Sequence, residues 1–237
     1  MGTIYDVTIA KKLINQQNLA KVAHNIANIN TPGDKADKLV ISGDESKSSF
    51  IDKLSYPKQN GVTRDLTQGP VKPTNNQLDF AISGAGYFAA GDKYTRNGSF
   101  TIDNDGKLIT FTGEPILDRS KSAIIIPANA REFKVADDGS ISIDNKATGQ
   151  QIGIFGFEKE TDLVKSDNSL YTTSAQAIPL NSSKVSQRHI EGSNTNPVLS
   201  MSQLIEIQRS DEQLSKVIQM QHDNAMNGID ETMVSST

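Results

Sequence analysis

The sequence predicts an α+β fold in which long N- and C-terminal helices pair as a coiled-coil-like stem and an antiparallel β-rich domain is inserted between them. Three observations predict it. Apolar residues recur at helical spacing at both ends of the chain. Short alternating segments cut by turn residues fill the middle. The two helical patterns are joined only through that middle, so they are free to meet as a pair. The expected division is a helical segment over 1–33, a connector over 34–70, a β-rich domain over 71–190 and a second helical segment over 191–237.

The first segment carries Leu19, Val22, Ile26 and Ile29 at 3-4-3 spacing, with Ala20, Ala23 and Ala27 as a second stripe beside them. Lys11 and Lys12 interrupt the earlier, less regular run of Ile4, Val7, Leu13 and Ile14. The helix is expected to reach Thr31, because Pro32 disfavours a helical conformation for the residue before it and Gly33 admits a positive φ. Three asparagines, Asn25, Asn28 and Asn30, crowd this end. Asparagine is a mediocre helix former whose side chain competes for nearby backbone groups, so their presence needs a reason.

Residues 34–70 are polar and weakly periodic and read as a connector that orders only against neighbours. Beyond them, "LDFAIS", "GYFAA", "YTRNGSFTID", "KLITF", "AIIIP", "EFKVA", "SISID", "IGIFGF" and "SLYTT" read as strands. Asn97-Gly98, Asp105-Gly106 and Asp138-Gly139 read as hairpin turns. In "EGSNTNPV", Asn196 suits an N-cap and Pro197 the first helical position. The pattern then runs through Met201, Leu204, Ile205 and Ile207 to Leu214, Val217, Ile218 and Met220. A helix of more than about 30 residues would be about 45 Å long.

Composition narrows the function. The net charge of −4 offers no basic field for nucleic acid or an anionic membrane. There is no cysteine, so disulfides, thiolate nucleophiles and cysteine-ligated metals are excluded. No apolar run is long enough to cross a bilayer, and the first residues lack the basic and apolar regions of a cleaved signal. His24, His189 and His222 lack metal-site spacing. "DNDG" at 103–106 resembles the middle of a calcium loop, but Thr112 stands where the bidentate glutamate belongs, so a hairpin turn is expected. "SGAGYFA" imitates a dinucleotide fingerprint, yet the residues after it alternate like a strand and open no helix. Gly84 and Gly86 therefore read as a turn that lets two strands approach closely. No catalytic set, metal site or cofactor site is expected. A glycan-acting enzyme would need a carboxylate pair roughly 5–9.5 Å apart, and nothing singles one out. A surface-binding β module would need an exposed aromatic patch.

Six motifs, taken in order, resemble the flagellar basal-body rod protein family over nearly the whole chain: "HNIANINTPG", "LDFAISGAGYF", "YTRNGSF", "DNDGKLIT", "GEPIL", and "EGSNTNPV" followed by "MSQLIEIQR". The resemblance implies a structural axial subunit that stacks helically to form the shaft carrying motor torque. The proximal rod type is favoured because the connector is short. The distal rod type, or another member of the hook family, is the alternative. The expected partners are other copies of the chain, neighbouring rod proteins and the flagellar type III export apparatus, with no nucleic acid and no membrane insertion. The expected place is the periplasmic rod of the basal body, reached without a cleaved signal peptide.

On this resemblance, Asn25, Ala27, Asn28, Asn30, Thr31, Pro32 and Gly33 at one end, and Asn196, Pro197, Gln208 and Arg209 at the other, are expected at contacts between subunits. Asparagine supplies donors and acceptors without charge, which suits a helix packed among identical neighbours. Asn25 and Asn28 are expected to bridge neighbouring helices, with Ala23 and Ala27 admitting close backbones. Two positions depart from the family pattern, Asp34 and Asp211, where aromatics are usual at packing sites between subunits.

Overall fold

The structure is a computed structural model that describes residues 2–44, 56–128, 130–166 and 169–234. The centre of the expected connector and the last three residues of the C-terminal segment lie outside the described residues. The chain forms two compact units, one of Met1–Ala27, Asp37–Asp65 and Asn196–Thr237, the other of Asn28–Ala36 and Leu66–Thr195.

The first unit holds helix α1 (Gly2–Ala27), strands β1 (Asp37–Asp44) and β2 (Tyr56–Arg64), and helix α2 (Pro197–Val234). The two strands form an antiparallel pair with a register shift between Val40 and Ile41. Such a pair cannot stand alone in water, and α1 packs against it. Asn25, buried near the end of α1, fixes the join. Its Nδ2 donates to the Asp37 carbonyl at 2.8 Å and its Oδ1 accepts the Asp37 N–H at 3.0 Å. At the head of α2, the Asn196 Oδ1 accepts the N–H groups of Val198 and Leu199 at 3.1 and 3.2 Å, capping two otherwise unpaired donors.

The expected coiled-coil-like stem is corrected here. Among the described residues the fold consists of two helices and a β-rich body of several sheets, with no such stem. A coiled-coil seam needs apolar knobs recurring along both helices. Where α1 and α2 touch, polar side chains bridge them instead: Lys12 Nζ donates to Ser215 Oγ at 2.8 Å, and Asn15 Nδ2 to Ser210 Oγ at 3.0 Å. Ile207 is buried on α2 and Ile14 and Val22 on α1, but Ile9, Leu13, Val198, Leu199, Met201 and Ile205 are exposed. Part of the face of α1 is taken by β1 and β2, strands that the polar sequence of 34–70 did not predict.

The second unit contains fifteen strands among the described residues: β3 (Val71–Pro73), β4 (Phe80–Ser83), β5 (Tyr87–Ala90), β6 (Lys93–Thr95), β7 (Phe100–Ile102), β8 (Leu108–Thr110), β9 (Phe133–Val135), β10 (Ser140–Ile143), β11 (Lys146–Gln151), β12 (Ile154–Gly156), β13 (Val164–Lys165), β14 (Leu170–Thr172), β15 (Ile178–Pro179), β16 (Lys184–Gln187) and β17 (His189–Glu191). A six-stranded sheet runs in the order β13-β14-β6-β5-β12-β15, beside a three-stranded sheet β11-β10-β9 and the pairs β16-β4, β17-β3 and β7-β8. The paired strands are antiparallel throughout.

Alternation fixes what is buried. In β8, Leu108 and Thr110 point inward while Ile109 is half-exposed, and β9 repeats the pattern with Phe133 and Val135. β5 is buried at all four residues because both faces are covered: Phe88 and Ala90 belong to the main core and Tyr87 to a second cluster. The main core gathers around three rings: Phe80 and Phe100 stack at 5.8 Å between centroids, and Phe88 meets Phe100 edge-on at 5.3 Å. Each such ring contributes roughly 1.5–3 kcal/mol on burial. A smaller cluster joins Tyr87, Leu163 and Tyr171.

Two of the three expected hairpin turns are hairpins. Asp105-Gly106 joins β7 to β8, with the Gly106 N–H donating to the Asp103 carbonyl at 3.1 Å, and Asp138-Gly139 joins β9 to β10. The Asp103 carboxylate accepts the N–H groups of Asp105 and Lys107, a turn device rather than an ion ligand. Asn97-Gly98 is no hairpin. β6 pairs with β5 and β14 whereas β7 pairs with β8. Gly98 instead lies against β4, where its carbonyl accepts the Phe80 N–H at 2.9 Å and a Cβ would strike the Phe80 backbone.

Candidate functional site

The motifs that lie far apart in the sequence meet at one place in the β body. The chain leaves α1 through a turn at Asn28–Asn30, short of the Thr31 expected. The Thr31 N–H donates to the Asn28 carbonyl at 3.0 Å, and its hydroxyl to Asn28 Oδ1 at 3.2 Å. This tightens the chain into a turn, and Pro32 has no N–H to continue a helix. Gly33 follows with φ +68°, pressed so closely on Arg96 and Asn97 that a Cβ would collide with their backbone. Its N–H donates to the Glu191 carbonyl at 2.8 Å.

Gly33 thereby begins a run of bonds between residues 33–36 and 191–194. The Asp34 carbonyl accepts the Asn194 N–H at 3.4 Å, and the Asn194 Oδ1 accepts the Ala36 N–H at 2.8 Å. Lys35 is 1% exposed and its ammonium lies 2.7 Å from Oε1 of Glu191, which is 0% exposed. The same ammonium donates to the Thr67 carbonyl at 2.8 Å. Glu191 Oε1 also accepts the Gly69 N–H at 3.0 Å, while the Arg96 Nε lies 3.3 Å from Oε2. Arg96 reaches on to the Gly86 and Gly84 carbonyls at 2.8 and 2.7 Å. Asp34, expected at a packing site between subunits, is buried within the chain and pairs with Lys165.

A buried ion is tolerable only when countercharge and hydrogen bonds replace its water, and here both do. Three cations engage the two carboxylates, Lys35 and Arg96 at Glu191 and Lys165 at Asp34, and the Gly69 N–H adds a hydrogen bond to Glu191. The arrangement fastens the segment after α1 to the strand that precedes α2. It is a structural joint. Elsewhere in the body, hydrogen bonds from Thr112 and Thr110, together with Lys93, outweigh burial and hold Glu114 down to about 2. Bonds from the Ser140 amide and hydroxyl lower Asp138, and burial raises Tyr94.

The residues expected at contacts between subunits divide between the two units. Thr31, Pro32 and Gly33 belong to the joint, with Asn28 beside them and Asn30 exposed on the same turn. Asn25, Ala27, Asn196, Pro197, Gln208 and Arg209 belong to the first unit, where all but Asn25 are exposed. Arg96, Glu191 and Asn194 lie inside the motifs of the sequence analysis but carried no role there, and Lys35 and Lys165 were missed. No spacing rule pairs charges that lie 156 residues apart.

Comparison with known proteins gives the same reading. Residues 81–143 match the family described as flagellar hook protein FlgE/F/G D1 domain, and residues 186–231 match the flagellar basal body rod FlgEFG protein C-terminal family. The fold and the matches define the class: a structural axial subunit of the flagellum, not an enzyme. A flagellar basal-body rod protein named FlgF from Caulobacter vibrioides is 33% identical over 222 residues, covering 90% of each chain. FlgF from Escherichia coli K12 is 32% identical over 91% of this chain and 92% of its own. FlgG from Bacillus subtilis is 31% identical over 67% of this chain and 69% of its own. The chain belongs to the flagellar basal-body rod protein family, most like FlgF, and its place is the flagellar basal body. No helix among the described residues is long and apolar enough to cross a membrane.

Proposed function

We propose that this rod subunit assembles with copies of itself and with neighbouring rod proteins through the exposed surfaces of its terminal segments, stacking to transmit torque. The observation that carries the reading is the apolar surface at the head of α2, where Val198, Leu199, Met201 and Ile205 are exposed over two turns. A helix that worked alone would place polar residues there. Gln208 and Arg209 follow on the next turn, and Ala27 and Asn30 are exposed at the other end. Asn25 and Asn28 already bond within the chain, so Asn30 is the asparagine free to face a neighbour. Polar Gln208 and Arg209 beside the apolar patch on α2 match the usual anatomy of a protein contact.

The chain reaches the periplasmic part of the basal body through the flagellar type III export apparatus. Two measurements test this. Arg209→Glu and Met201→Glu should leave the β body folded and abolish incorporation into purified basal bodies. Incorporation at the wild-type level in both variants would end the proposal. Disabling the export apparatus should keep the chain inside the cell, and arrival in the basal body regardless would end the export half.

A further inference from the structure

Phe111 is 92% exposed, the most exposed large apolar side chain among the described residues. The turn that carries it is held in one conformation. The Gly113 N–H donates to the Thr110 carbonyl at 3.0 Å, and the Thr110 N–H to the Glu114 carbonyl at 2.8 Å. The Glu114 carboxylate accepts the hydroxyls of Thr110 and Thr112 and pairs with Lys93 at 3.1 Å. Ile109 and Pro115 close the turn as a bridge. A side chain shown from a rigid turn loses little freedom when it is covered, which favours its use as an anchor.

Beside the ring lies a cleft of about 290 Å³, walled by Thr31 and Pro32, by Asn97 and Ser99, and by Thr112 and Leu170. Its surface is methyl, hydroxyl and carboxamide, with no charged side chain in the lining. Nucleic acid or a phosphate would find no cation there, and a metal ion would find no carboxylate or imidazole. The surface fits an uncharged patch of protein.

We propose that the cleft, with Phe111 at its edge, is a contact surface for a second copy of this chain. The inference rests on the reading that the chain assembles with its own copies. Charge selects the partner: each chain carries −4, and contacts repeated between chains of the same sign are least costly where neither surface is charged. Continuity supports it too, since exposed Asn30, placed at a subunit contact above, directly precedes the Thr31-Pro32 wall.

A photo-activatable benzoylphenylalanine placed at position 111 of the full chain, in flagellated cells, tests the proposal, with the same probe at position 201 on α2 for comparison. The expected product in purified basal bodies is a covalent pair of two copies, joined through position 111. A silent position 111 beside a reactive 201 overturns the cleft and leaves the assembly reading standing. Silence at both positions overturns both. A product joining position 111 only to a different protein or to a glycan also overturns the choice of partner. Separately, Phe111→Ser should melt like the wild type and enter basal bodies at least about tenfold less, whereas Phe111→Tyr should restore entry. Equal entry of Phe111→Ser and wild type overturns the proposal.

Discussion

Replacing Lys35 with methionine removes one charge from the buried joint while keeping the length of the side chain, so no large cavity opens. The ammonium makes two short contacts, to Glu191 at 2.7 Å and to the Thr67 carbonyl at 2.8 Å. Glu191 then keeps the Gly69 N–H at 3.0 Å and Arg96 at 3.3 Å, so its charge is only partly stranded. Breaking a buried pair costs about 3–5 kcal/mol, and the remaining partners place Lys35→Met near the lower end, at about 3 kcal/mol. Glu191→Gln is the harsher change, because it leaves Lys35 and Arg96, 1% and 5% exposed, without a carboxylate between them. It should cost about 5 kcal/mol or more. The double variant should lose less than the sum of the two, by about 1–2 kcal/mol. Urea unfolding followed by tyrosine fluorescence reads this directly, since Tyr87 and Tyr171 are buried in the body and the chain has no tryptophan. A loss under about 1 kcal/mol for Lys35→Met, or a larger loss for it than for Glu191→Gln, would refute the account of the joint.

Gly33→Ala should destabilise the body by roughly 2 kcal/mol or more, since both the positive φ and the backbone of Arg96 and Asn97 oppose a Cβ. Gly149→Ala shares a positive φ of +75° but finds nothing within 4 Å, so chemical denaturation should show a loss of only about 1 kcal/mol. Asn25→Ala should cost about 1–3 kcal/mol and speed hydrogen exchange at the Asp37 amide, whereas Asn30→Ala should leave stability unchanged. Glu114 is held down to about 2 from an ordinary 4.5, so its stabilising effect is complete above pH 4.5 and fades as pH falls towards 2. The melting difference between wild type and Glu114→Gln should follow that window. A difference that grows on acidification would show the opposite sign.

Much of the body was legible because its strands alternate. "FAIS", "YFAA", "LIT", "FKV" and "IFG" carry enough apolar residues to be seen as strands one at a time. Strand β11 reads "KATGQQ", exposed over most of its length and without an apolar face, and β16 and β17 read "KVSQ" and "HIE". β16 and β17 pair through backbone bonds with β4 and β3, about a hundred residues away, and β11 pairs with its neighbour β10 without an apolar face of its own, none of which local apolar pattern encodes. The strand pair β1–β2 in the supposed connector escaped because its sequence is polar and lacks alternation, although its two strands are near in sequence. Asn97-Gly98 misled because the dipeptide marks a tight approach of backbones, here to Phe80, as readily as a two-residue turn. The coiled-coil stem failed because helical spacing predicts that a face is apolar but not what covers it; α1 shares its face with a hairpin and meets α2 through serine, lysine and asparagine. At the joint, Gly33, Arg96, Glu191 and Asn194 stood in recognised motifs and Lys35 and Lys165 did not, and the ion pairs that unite them required the fold.

Lys35 and Glu191 are separated by 156 residues, and their meeting closes a loop of that size. Bringing such ends together costs on the order of 4–5 kcal/mol in chain entropy before any bond forms. The β body therefore cannot be finished until residue 191 is in place, because its keystone carboxylate arrives only after most of the thread. A molecule built this way stays pliable while it is incomplete and hardens in one late step.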